Sequence, residues 1–129
     1  IANIAIVDQA RGGTGCAIVH SDSASGIQRL NQEAAKALAA GREAGFDISE
    51  GRAMTWLTKN PAKSLGILDQ TGTLEQGKDA DVVIWDGNPF SVYTKAEQVF
   101  IDGALVFDKA TNFMPHTDFD LGIKEWEDK

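Results

Sequence analysis

At 129 residues, with 43% hydrophobic and 24% charged residues, the chain has ordinary globular composition and is long enough to bury one core. A formal charge of -7 argues against a phosphate-tracking nucleic-acid binder, which needs clustered Lys and Arg to displace counterions. No apolar stretch approaches the roughly 20 residues needed to span a bilayer, and no basic-then-apolar leader opens the sequence, so a soluble segment with no membrane contact is expected and its compartment is left open.

The opening run Ile1 to Val7 reads as the middle of an apolar helical element, with no start signal or cap before it, which suggests a piece of something longer. Arg11-Gly12-Gly13-Thr14-Gly15 is a flexible connection. Cys16 to Val19 follows as a short apolar run without alternation, the pattern of a strand buried on both faces in a parallel sheet. The lone cysteine, Cys16, can form no internal disulfide and reads as a small buried hydrophobe. His20 to Gly26 is a polar loop. Ile27, Leu30, Ala34, Ala37 and Leu38 then recur at helical spacing and predict an amphipathic helix closing near Gly41 or Gly45.

Ser49 is the expected N-cap of a second helix burying Ala53, Met54, Trp56 and Leu57. Asn60-Pro61 is expected to start a short helical turn that stops at Gly66. From Gly72 the character turns to β structure. Asp81 to Trp85 reads as one strand, with Asp79 and Asp81 in a solvated turn before it. Gln98 to Ile101 and Ala104 to Phe107, joined by Asp102-Gly103, read as a hairpin. Beyond Asp108 an extended tail with Phe113, Phe119 and Trp126 is expected, and His116 within it is given no role.

The chemistry should lie at the end of the first strand. A carboxylate just after a buried parallel strand sits at the C-terminal sheet edge, where α/β folds bind ligands, which makes Asp22 the first candidate. The plainer reading is that Asp22, or one of Ser21, Ser23 and Ser25, caps the following helix. His20 reads as a metal ligand, a proton shuttle, an orienter of Asp22, or an ordinary histidine at a strand end. The serines lack the tight Gly-x-Ser-x-Gly elbow of a nucleophile. A Rossmann-like or flavodoxin-like domain, with Ser21 to Gly26 as an anion site, ranks last because only one parallel strand is offered.

Four runs in order, His20-Ser21-Asp22, Gln28 to Lys36, Thr58 to Ile67 and Gly72 to Val83, resemble the C-terminal third of amidohydrolase-superfamily enzymes, closest to imidazolonepropionase-like and dipeptidase-like members. The "T-x-N-P-A-K-x-L-G-I" and "G-x-L-E-x-G-K-D-A-D-V-V" segments are specific in combination, and the likeness covers Cys16 to Asp108. It implies an α/β fold: the last strand-helix unit of a (β/α)8 metal-dependent hydrolase barrel, followed by part of a small composite β-sandwich. Cys16 to Val19 would be the eighth barrel strand and Gly26 to Ala40 the eighth helix. Residues 1–66 would end the barrel domain, 67–109 would belong to the sandwich, and 110–129 would be a tail.

The resemblance further implies one or two divalent metals, usually zinc, in the complete enzyme. Asp22 would contact metal and take a proton from the attacking water during hydrolysis of an amide, cyclic amide or peptide-like C–N bond. His20 would stand behind Asp22, with Ser21, Ser23 and Ser25 in a loop near a small-molecule substrate. The family's other ligand positions, on strands one, four, five and six, have no counterpart here. The chain alone is therefore expected to be inactive, to hold no metal tightly, and to need the N-terminal barrel portion of the same enzyme as its partner. The competing reading is a non-enzymatic or domain-swapped fragment that self-associates through its apolar barrel face, as a homo-oligomer.

Overall fold

The computed structural model describes residues 2–111. Helix α1 runs over Asn3–Gly13, and a single 3-10 turn at Ile27–Arg29 leads into α2, Leu30–Glu43. Two short helices follow, α3 at Glu50–Met54 and α4 at Lys59–Leu65, and then strands β1 (Val82–Trp85), β2 (Ala96–Ile101) and β3 (Ala104–Asp108). The described residues thus form a helical half and an antiparallel sheet of order β1-β2-β3, consistent with the mixed α/β reading.

Local sequence explains most boundaries. Asn3 Oδ1 accepts the Ile4 amide at 3.0 Å at the start of α1. Helical geometry breaks at Ala10 (ψ 146), and Arg11 and Gly12 turn left-handed, which places the expected glycine-rich connection inside the last turn of α1. Ser49 caps α3 as expected, its Oγ accepting the Arg52 amide at 3.1 Å. The start of α4 differs from the expectation: Thr58 occupies the N-cap and the helix begins at Lys59, two residues ahead of Pro61. Proline fits the first helical turn, where its missing N–H has no intrahelical partner to lose. Gly66 ends α4 in the left-handed conformation, as expected.

The Asp102-Gly103 hairpin forms in full. Both residues have positive φ, 50 and 76, which gives the two-residue primed turn that matches strand twist. Its glycine carries that conformation without a Cβ clash. The Asp102 amide also donates to Asp81 Oδ1, and Thr71 Oγ1 donates to Asp81 Oδ2, at 3.0 and 2.9 Å. Asp81 therefore ties the loop before the sheet to the hairpin turn. Lys78 braces that loop from within, donating to Leu68 O and Thr73 Oγ1 at 2.6 Å each. Much of the "G-K-D-A-D" run is thus engaged in holding this loop together.

The core is small and centred on Trp56, which is fully buried with Ala5, Ala17, Ala34, Leu38, Ile48 and Ala53. It lies between α1, α2, α3 and the segment after α1, while Val19, Phe46, Leu57 and Phe90 pack around it. Three sequence expectations are corrected. Cys16 is exposed rather than buried, because it is Ala17 that turns toward the core. Ile27 is exposed as well, because it lies in the 3-10 turn before α2 and not on the α2 face. Trp56 and Leu57 lie beyond α3, which ends at Met54, rather than on it. Cys16 to Val19 has no ladder partner among the described residues; its backbone is held by the Asn60 side chain and by the Trp56 carbonyl.

The sheet half docks through polar contacts. Asn31 Nδ2 donates to Pro89 O at 2.7 Å, and Asn88 Nδ2 donates to the Glu50 carboxylate at 3.0 Å. Large apolar side chains stay exposed on the strands, among them Ile84, Ile101, Leu105 and Val106. The expected tail, with Phe113, His116, Phe119 and Trp126, lies outside the described residues beyond its first turn at Lys109–Thr111.

Candidate functional site

Cys16 to Val19 carries the chain from the core to the surface. The Ala17 carbonyl accepts Asn60 Nδ2 at 2.7 Å, and the Val19 amide donates to Trp56 O at 3.1 Å. The segment is thereby fixed to α4 and to the turn that follows α3, and the next residues emerge into solvent. His20 Nδ1 lies 3.5 Å from Asp22 Oδ1, and both side chains are open, 74% and 98% exposed. The two groups expected to act together are neighbours, at a distance that shared orientation rather than a tight hydrogen bond explains.

The serines answer the question of helix capping. Ser21 Oγ accepts the Ser23 amide at 3.1 Å, and Ser23 Oγ accepts the Gly26 amide at 3.2 Å. Ser23 and Ser25 hydroxyls are 2.9 Å apart. Ser23, not Asp22, therefore closes the turn before α2, and the Asp22 carboxylate stays outside that network. These bonds also occupy the Gly26 and Ile27 amides, which Ser23 O accepts at 3.1 and 3.0 Å. Those two amides are thus already engaged and do not face an anion, as the Rossmann-like reading would have them do. Beside it an open groove of about 520 Å³ is lined by His20, Ser21, Ser25, Gly26, Arg29 and Glu33.

A carboxylate and an imidazole are right in kind for a divalent metal, yet short in number. Among the described residues no cluster of three or more His, Cys, Asp and Glu side chains could hold an ion.

Sequence reasoning missed Asp8. Its carboxylate is fully buried and accepts four hydrogen bonds from three side chains: Arg52 Nε at 2.8 and 3.1 Å, Trp56 Nε1 at 2.8 Å and Gln9 Nε2 at 2.8 Å. Arg52 Nη2 reaches on to the carbonyls of Gly13 and Gly15 at 2.9 and 3.0 Å. The Gly15 amide returns to Asp8 O at 3.1 Å. A Cβ on Gly15 would fall 1.7 Å from Val7 O, so only glycine lets the chain pass so close to α1. The available signal was helical spacing: Arg52 and Trp56, four apart, share one face, and Asp8 stands four after Ile4 in an otherwise apolar stretch.

Comparison with known proteins bears on this arrangement. Residues 5–113 match the amidohydrolase family. Over 67 residues the chain is 40% identical to an imidazolonepropionase of Thermoplasma volcanium, covering 47% of this chain and 17% of that protein. Identity reaches 54% over 41 residues of an imidazolonepropionase from Brucella suis, covering 32% and 10%. The amidohydrolase tasK of Hapsidospora irregularis is 41% identical over 56 residues, covering 43% and 6%. A crystal structure of an amidohydrolase from Thermotoga maritima matches with TM-score 0.57 and 40% identity, over 64% of this chain and 20% of that one. The chain thus spans at most about one fifth of the length of these proteins.

Proposed function

The chain belongs to the amidohydrolase family, and from that premise we propose that it is the C-terminal part of a longer hydrolase acting on an amide, cyclic amide or peptide-like C–N bond. Asp22 is its proton-transferring carboxylate. The observation that carries this reading is the position of Asp22: at the end of a segment anchored to the core, exposed, beside an imidazole, and left out of the turn that its neighbours close.

In this reading Cys16 to Val19 is one barrel strand whose neighbours belong to the remainder of the enzyme. A divalent metal, zinc by expectation, would lower the pKa of the attacking water toward about 7, with its remaining ligands outside this chain. Asp22 accepts the proton that water gives up and returns it to the departing nitrogen. His20, with Nδ1 3.5 Å from the carboxylate, is the group near enough to orient it once the site is complete. The sheet with its exposed Ile84, Ile101, Leu105 and Val106 forms part of a sandwich that other strands complete. The chain by itself is inactive.

The test is Asp22→Asn in the complete enzyme, assayed on imidazolone propionate and on dipeptides. Loss of roughly a hundredfold or more in kcat with bound metal retained supports the reading. Unchanged turnover removes Asp22 from the reaction.

The same exposed apolar strands favour a second reading, assembly of copies of this chain without catalysis. Light scattering on the purified chain separates the two, since a clean monomer that binds no apolar dye excludes assembly.

A further inference from the structure

Burying the Asp8 carboxylate against a half-buried Arg52 is an expensive way to hold a helix in place. Taking a carboxylate out of water is costly, and an apolar contact of similar volume often does as well or better. Asp8 is nevertheless completely buried, and its three side-chain donors leave it no part in surface chemistry. What the pair supplies that an apolar contact cannot is direction. The guanidinium is planar, with donors in a fixed fork, so anchoring Nε on Asp8 aims Nη2. That nitrogen meets the carbonyls of Gly13 and Gly15, the last residues of the glycine-rich connection.

That connection most needs fixing. Arg11 and Gly12 leave the helix in left-handed conformations, and Gly12, Gly13 and Gly15 impose few steric limits of their own. Five residues beyond Gly15 stands His20, and seven beyond it Asp22. Between them the chain is held again at Ala17 by Asn60 and at Val19 by Trp56 O. Trp56 also donates to Asp8, so the Arg52 anchor and the Val19 anchor share one carboxylate. The path from α1 to the exposed pair is thus set from one side by α3 and α4.

We propose that Arg52, aimed by Asp8, is a positioning residue for Asp22: it fixes the carbonyls of Gly13 and Gly15 and through them the place at which the carboxylate is presented. This rests on the reading of Asp22 as the proton-transferring group.

The experiment is a double-mutant cycle in the complete enzyme, with the substrate turned over in the assay above. Arg52→Lys keeps the charge and loses the fork, and Asp8→Asn keeps the shape and loses the anchor; the second stands in if the first does not fold. Either should lower kcat by about tenfold to a hundredfold with KM within about twofold, since small misplacements act on the reacting geometry. Amide hydrogen exchange at Gly15 and Val19 should rise in the same variants. In an Asp22→Asn background the same substitutions should cost less than about twofold, because the group they position is gone. Wild-type kcat in both folded variants overturns the proposal, and so does an equal loss with and without the Asp22 carboxylate, which marks a structural role. Full turnover by Asp22→Asn alone overturns the underlying assignment instead.

Discussion

The side-chain amide of Asn60 donates to the carbonyl of Ala17 at 2.7 Å, while Cys16 Sγ approaches the carbonyl of Asn60 at 3.9 Å, so α4 reads the backbone of the segment that leads to Asp22. Both residues of the shorter bond are buried, and among the described residues Asn60 is the donor given to the Ala17 oxygen. Asn60→Ala should cost about 1–3 kcal/mol in denaturant unfolding, the desolvation penalty of a buried carbonyl left without a donor. A change within a few tenths would show that water reaches the site.

Trp56 fills the centre of the core and donates to Asp8. Trp56→Phe keeps most of the apolar surface and removes that donor, so a loss of about 1–3 kcal/mol is expected. Trp56→Ala adds a cavity and should cost about 3–5 kcal/mol. Equal effects of the two substitutions, read from urea midpoints, would mean that the indole N–H contributes nothing.

Two glycines should respond with opposite sign. Alanine at Gly15 would drive its Cβ into the Val7 carbonyl and force the backbone apart, at a cost of about 2 kcal/mol or more. Gly51 lies within α3 with open space where a Cβ would go, so Gly51→Ala should stabilise by up to about 1 kcal/mol through helix propensity. Thermal melts of the two variants decide it, and a stable Gly15→Ala would contradict the close passage of loop and α1.

Much of the fold was legible in the sequence, for reasons that differ along the chain. Asp102-Gly103 between apolar runs specifies a turn through backbone geometry alone, and the hairpin forms there. Ser49 and Gly66 marked helix ends through local hydrogen bonding and left-handed geometry. Cys16 and Ile27 were misplaced because apolar character says that a residue can be buried, not that a neighbour is there to cover it. At the candidate site, the nearness of His20 and Asp22 follows from their places two residues apart in one loop. Asp8 was not legible, since its partners Arg52 and Trp56 lie more than forty residues away and only the fold brings them together. The "G-K-D-A-D" run was recognisable as a motif, while the work of Lys78 and Asp81 in it became visible only as contacts.

Asp81 and Asp86 should make the sheet half acid-sensitive. Hydrogen bonds from the Asp102 amide and Thr71 hold Asp81 below its ordinary value, and the Lys95 amide and Lys109 do so for Asp86. Carboxyls lowered in the folded state contribute stability that is present above the unfolded value of 3.8 and is lost as pH falls through the folded value. Lys109, raised by the Asp86 carboxylate, contributes below 10.5 and loses that contribution as pH rises through its folded value. Melting temperature should therefore drop below about pH 4 and drop less in Asp81→Asn, which has no charge to lose. A wild-type profile that Asp81→Asn reproduces at acid pH would remove Asp81 from this account.

The most direct test of the central claim is the metal content of this chain by mass spectrometry, together with hydrolysis of the substrates of the proposed assay, before and after mixing with the N-terminal barrel portion of the enzyme. The account predicts negligible metal and no turnover for the chain alone, then near-stoichiometric metal and hydrolysis after mixing, with the hydrolysis lost in Asp22→Asn. Tight metal binding and turnover by the unmixed chain would contradict it.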